Sequence, residues 1–194
     1  MIRTPAGEMP VETLRPGDKV ITRDHGPRPV RWIGAATVDR ADLAPILIRA
    51  GALGPGLPAR DLLVSPQHRM LVRSRIARRM TGRDEVLVAA TLLCALPGIR
   101  AAPVPGPWRY VHLLCDRHEL IYAEGAPSET LLPGPQARAA MGPAAWTELT
   151  GIFPQIADIL GRYPPARTIP APARQKDLAR RHRKNRAPLV DPAL

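Results

Sequence analysis

Residues 1–34 read MIRTPAGEMPVETLRPGDKVITRDHGPRPVRWIG. Turn residues recur through this stretch at short intervals. Thr4-Pro5-Ala6-Gly7 reads as a tight turn. Arg15-Pro16-Gly17-Asp18 is a stronger one, because proline presets one φ and glycine accepts a positive one. Lys19 to Thr22 is a short strand, Asp24-His25-Gly26-Pro27 turns again, and Pro29 to Ile33 returns as a strand ending at Gly34. Short extended runs separated by glycine and proline are the punctuation of a β-meander.

The same texture continues downstream. Thr37 to Asp39 and Ile46 to Arg49 read as further strands, and Gly51 to Pro58 as a loop. Leu62 to Val64 and Met70 to Val72 flank the stretch SPQH. Arg73 to Met80 is a helical turn or a loop. Glu85 to Ala89 is extended, and Ala90 to Leu96 is a short helix stopped by Pro97-Gly98. Arg109 to Leu114 and Glu119 to Ala123 are strands around Cys115-Asp116-Arg117-His118.

From Gly125 the pattern changes. Gln136 to Met141, Ala144 to Leu149 and Pro154 to Leu160 have helical spacing, and Leu149, Ile152, Phe153, Ile156, Ile159 and Leu160 recur as one apolar face. After Arg162 the chain is rich in Pro, Ala and Arg and poor in large apolar residues. The expected organisation is a β domain over 1–134, a helical extension over 135–162 and a disordered basic tail over 163–194.

Composition agrees with a core built without many rings. Hydrophobic residues make up 45% of the 194 residues but aromatics only 4%, so Val, Leu, Ile and Ala must fill it. The 24 prolines exclude long helices from the body. The formal charge of +11 is concentrated between Arg174 and Arg186, which suits an acidic partner or nucleic acid weakly held by the tail. That stretch holds no aromatic residue for base stacking, and a solvated tail is the plainer reading. Two cysteines, Cys94 and Cys115, lie in no zinc-like spacing, so neither a disulfide framework nor a metal or other cofactor is expected. No apolar run is long enough to span a membrane, no signal peptide is visible, and the cellular address is left open.

Three places carry candidate chemistry. In Ser65-Pro66-Gln67-His68 a hydroxyl and an imidazole sit three residues apart between apolar segments. Such a pair can hold and protonate a peptide nitrogen, although a capped turn with a half-exposed histidine is the simpler account. In HLLCDRHE, His112, Asp116 and His118 share a face if the strand is unbroken; a turn at Cys115-Asp116-Arg117 would separate them. The third place is the basic stretch KDLARRHRKNR. A metal hydrolase built on His68, His112 and His118 is the remotest option.

These residues resemble a known family. TPAGEMPVETLRPGDKVITRDHGPRPVRWIG resembles the opening hairpins of a Hint domain, the module shared by inteins and the processing domain of Hedgehog proteins. LLVSPQHRMLVR resembles its Thr-x-x-His box, with Ser65 at the Thr position and His68 as the histidine. YVHLLCDRHELIYAEGAPSETL resembles the late motif. From about Ile2 to Leu160 the order of these strings is that of the bacterial Hedgehog/intein subgroup.

The resemblance implies an all-β horseshoe of short strands and a self-cleavage reaction rather than turnover catalysis. A first-position cysteine attacks the preceding carbonyl to give a thioester, His68 acts as general acid with Ser65 as its hydrogen-bonding partner, and His118 and Asp116 support. The substrate is the chain's own N-terminal flank. In the family the segment matching Ile2-Arg3-Thr4-Pro5 follows that cysteine by a few residues. The expectation is therefore a clipped or misassigned start, an absent nucleophile, and no cleavage by the chain as given. Ser128-Glu129-Thr130 stands where inteins carry His-Asn, so full splicing is not expected. The alternative is a non-catalytic interaction module whose basic tail docks an acidic partner or nucleic acid.

Overall fold

The computed structural model describes residues 1–39, 41–102, 107–133, 146–147, 150 and 164–193. The expected helical extension over 135–162 lies almost wholly outside the described residues.

The body is all-β, as expected. Strand β1 (Ile2–Thr4) turns at Pro5-Ala6 into β2 (Gly7–Met9). A 3-10 turn over Val11–Thr13 leads to β3 (Lys19–Thr22), which pairs with β4 (Gly26–Pro29). At the Arg15–Asp18 turn, Gly17 adopts φ +98°, a conformation open to glycine at little cost. The longer β5 (Trp32–Val38) follows, then β6 (Ile46–Ile48), β7 (Leu62–Val64) and β8 (Arg69–Arg73). Helix α1 (Arg75–Thr81) is capped by the Ser74 hydroxyl, which accepts from the Ala77 amide, and ends at Gly82 in the left-handed region. It settles the ambiguous 73–80 stretch as helix. Then come β9 (Glu85–Ala89), a 3-10 turn over Ala90–Leu93 in place of the longer helix read there, β10 (Ile99–Ala101), β11 (Trp108–Leu114), β12 (Leu120–Ala123) and β13 (Ala126–Glu129).

All strand pairs among the described residues are antiparallel. The largest sheet runs β2-β1-β12-β13-β8-β9, with β3 and β4 branching from β12; β10-β6-β7 and β11-β5 form two smaller sheets. The β12–β13 hairpin is the hinge of this arrangement. Its two central residues, Glu124 and Gly125, both have positive φ (48° and 76°), the requirement of a two-residue turn that matches strand twist. That turn fixes the register of β13 against β12 and, on the other side, sets Ser128 opposite Met70 on β8.

The structure differs from the sequence reading at the far C-terminus. Residues 164–193 are ordered. Pro172–Asn185 form a 14-residue helix, α2, with proline in its first turn. Leu178 and Ala179 are fully buried in the main core with Val72, Val86 and Leu93. Polar residues supply the rest of the anchorage. Gln175 accepts from the Ala89 amide at 2.9 Å and donates to the Pro170 carbonyl at 2.6 Å. The buried His182 donates from Nδ1 to the Ala187 carbonyl at 3.1 Å and accepts at Nε2 from the Ser74 hydroxyl at 3.0 Å. Single parallel bridges flank the helix, Val86 with Thr168 before it and Arg73 with Val190 after it. The expectation of disorder fails because few large apolar residues are needed when Gln175, Leu178, Ala179 and His182 fall on one helical face. The cations Arg174, Lys176, Arg180, Arg181, Arg183 and Lys184 occupy the exposed face. No helix among the described residues is long and apolar enough to cross a membrane.

Candidate active site

Ser65–His68 forms the turn between β7 and β8. The His68 amide donates to the Ser65 carbonyl at 3.0 Å, which closes it. Two amides of the following 3-10 turn lock it from outside: Ala90 donates to the His68 carbonyl at 2.9 Å and Thr91 to the Pro66 carbonyl at 3.0 Å. Backbone satisfied on both sides leaves the His68 ring as the one adjustable group. Its Nε2 lies 3.2 Å from the Ser128 hydroxyl. Ser65 therefore contributes its carbonyl to the turn, and the imidazole's hydroxyl partner is Ser128.

Burial pushes the His68 imidazole below its ordinary value; the Glu129 charge opposes this, while Arg69 and His118 add to it. At neutral pH the ring is neutral. It can take a proton from a nucleophile and pass it to a leaving nitrogen.

Glu129, next to Ser128, is buried and fully engaged. Oε1 accepts from the Arg69 amide at 2.9 Å and Arg69 Nη1 at 3.2 Å, and Oε2 faces His118 Nε2 at 3.1 Å. Burial alone would raise its carboxyl; the hydrogen bond from His118 and the charges around it more than offset this and hold it below the usual range. His118 is closed at its other nitrogen too, because Nδ1 accepts from the Ala166 amide at 2.9 Å. The ring proton is therefore on Nε2.

The Cys115–Glu119 segment is a turn, so His112, Asp116 and His118 do not share a strand face. Asp116 is exposed and takes both arms of Arg31, at 2.8 and 3.1 Å. It stands apart from His68. His112, on β11 opposite Gly34, does reach the site. Burial, with a smaller contribution from His68, lowers its imidazole to about 4.

His68, Ser65, His112, Ser128 and Glu129 line one cavity of about 670 Å³, whose apolar wall includes Leu62, Val64, Leu113 and Ile121. Met1 and Ile2 line it as well, where β1 enters the sheet. Neither cysteine lies on this cavity. Cys115 is packed with Ile2, Leu113 and Ile121, and burial raises its thiol to about 12. Cys94 donates to the Ala90 carbonyl. Among the described residues, no three His, Cys, Asp or Glu side chains are grouped as a metal ion would need.

The sequence reading singled out His68 and Ser65 and missed Ser128, Glu129, Ala166 and the placement of His112. A carboxylate inside the apolar run APSETLL was the available sign of Glu129. Nothing local pointed to Ala166, which lies 48 residues from the ring it meets.

A sequence model described as the Hint domain matches residues 1–135. Among solved structures, the chain is similar to a bacterial intein-like domain from Clostridium thermocellum, at 13% identity over 67% of this chain and 94% of that one, with a TM-score of 0.49. It is similar to the MchDnaB-1 intein at 11% identity, over 66% of this chain and 93% of that one, TM-score 0.42. A zinc-bound Msm DnaB1 intein splicing domain matches at 17% identity, over 66% and 93%, TM-score 0.38. No curated protein matches the chain.

Proposed function

This chain belongs to the Hint domain family, and we propose that its reaction is self-cleavage of the peptide bond leading into β1. Membership makes it an autoprocessing or splicing-type domain in general. The finer reading rests on one observation above all: half-buried, neutral His68 and the first residues of β1 line the same cavity.

In a longer form, a cysteine in the segment preceding β1 supplies the nucleophile. Its sulfur attacks the carbonyl before it, and His68 takes the thiol proton. The C–S bond forms as the C–N bond breaks, and the imidazolium returns the proton to the departing nitrogen. Water then hydrolyses the thioester, releasing the flank as a carboxylic acid and restoring the thiol. Ser128 holds the imidazole in place. Cys94 and Cys115 do not supply the nucleophile, since neither borders the cavity. With Ser128-Glu129-Thr130 in place of an asparagine, no route releases a C-terminal flank by cyclisation.

The experiment is an extended chain carrying a cysteine before β1, followed by intact mass. Release of the flank with an intermediate that thiols capture is the expected outcome. Cleavage that persists unchanged when that cysteine is replaced by alanine would remove the thioester from the account.

A second reading, a binding module, is favoured by the exposed cations of α2. It expects salt-dependent retention of an anionic polymer, lost when Arg181, Arg183 and Lys184 are replaced by Glu.

A further inference from the structure

The wall of the cavity includes two residues that lie beyond the span matched by the Hint model, Pro165 and Ile169. The segment between them is held at every position. Ala166 donates its amide to His118 Nδ1 at 2.9 Å. Arg167 grips Asp24 with two arms, at 2.7 and 2.9 Å, and Glu85 with a third contact at 2.6 Å. The Thr168 carbonyl accepts from the Leu87 amide at 3.0 Å. Ala166 and Ile169 pack on buried Leu71, Leu87 and Leu120.

His118 has two ring nitrogens, and each already has its partner. Its Nδ1 is already an acceptor, the ring is completely buried, and the Glu129 carboxylate can only accept.

We propose that Pro165–Ile169 is a working wall of the reaction cavity and that the Ala166 amide is a positioning group: by filling Nδ1 it fixes His118 as the tautomer that carries its proton on Nε2, toward Glu129. The proposal rests on the reading that cleavage takes place in this cavity. Among the described residues, Glu129 from β13 meets His118 directly, Arg69 from β8 shares that carboxylate, and His68 lies in the turn before β8. Glu119, beside it in the chain, is directed to His25, and Arg167 on the strap is directed to Asp24 and Glu85. So held, His118 Nε2 and Arg69 share the Glu129 carboxylate, next to the Ser128 hydroxyl that meets His68.

The test is the imidazole 15N spectrum of the full chain labelled in histidine. The expected pattern for His118 is a bare, hydrogen-bonded Nδ1 and a protonated Nε2 at neutral pH. In Ala166→Pro, which lacks the donor, the Nδ1 resonance should move away from that position as the tautomer is no longer fixed. A proton on Nδ1 in the unsubstituted chain at neutral pH, or an unchanged Nδ1 resonance in Ala166→Pro, overturns the proposal. Should Ala166→Pro fail to fold, hydrogen exchange of the unsubstituted chain decides. A strongly protected Ala166 amide supports the strap, and exchange at the free-peptide rate overturns it. None of these readouts requires cleavage. A chain that fails to cleave yet keeps the His118 pattern supports the strap and counts against the reaction.

Discussion

His68 Nε2 and the Ser128 hydroxyl lie 3.2 Å apart across 60 residues of sequence. The contact joins the turn after β7 to β13, and both residues line the cavity that Met1 and Ile2 of the β1 entry also line. Removing the hydroxyl with Ser128→Ala leaves the ring in the cavity without its tether. Cleavage by the extended, cysteine-bearing chain should slow by roughly tenfold, the scale of a lost hydrogen bond of about 1–1.5 kcal/mol. An unchanged rate in a time course of intact mass would show that the tether is unimportant.

The pH dependence of cleavage follows from burial of the same ring. The competent form is neutral, and burial lowers the imidazole's value. Activity should therefore be complete near neutrality and be lost only as pH falls through that lowered value, below the ordinary histidine range of about 6.5. A single-turnover rate profile with its acid limb at or above about 6.5 would contradict this.

Stability carries a second signature, from His112. Its imidazole is lowered to about 4 in the folded protein against about 6.5 for a free histidine. The unfolded chain thus binds a proton that the folded one refuses. The native state should have its full stability above about 6.5 and lose it progressively as pH falls from there toward about 4, by roughly 3 kcal/mol from this residue. Urea unfolding at a series of pH values, comparing the chain with His112→Asn, checks it: the variant should show a clearly shallower slope over that window.

The C-terminal helix should be part of the cooperative unit. Leu178→Ala leaves a cavity in the main core and should cost about 2–5 kcal/mol, while Arg181→Ala on the exposed face should change stability by less than about 0.5 kcal/mol. Both follow from denaturant midpoints at constant slope. A Leu178→Ala chain as stable as its parent would mean that α2 is not docked on the β body.

Much of this architecture was legible because its determinants are local. Arg15-Pro16-Gly17-Asp18 and Asp24-His25-Gly26-Pro27 each announce a reversal through the φ preferences of proline and glycine, and the strands between them had no other place to go. The Ser65–His68 turn was visible for the same reason. What escaped was non-local. Arg167 finds Asp24 at a separation of 143 residues, and His182 finds Ser74 at 108. No periodicity encodes such a partner. A tail anchored by Gln175, His182 and Arg167 around two small stretches of apolar surface has the composition of a solvated segment. For His112, Asp116 and His118 the sequence left two arrangements open, and the break at Cys115–Glu119 decides between them: it carries Asp116 out to Arg31 and His118 inward to Glu129.

The most direct measurement is the intact mass over time of a chain extended by a cysteine-containing segment before β1, beside the same chain with His68→Ala. The account predicts release of the N-terminal flank by the first and a rate lower by about 10²–10⁴ in the second. Equal cleavage by both chains would contradict the role assigned to His68 and, with it, the reaction proposed for this cavity.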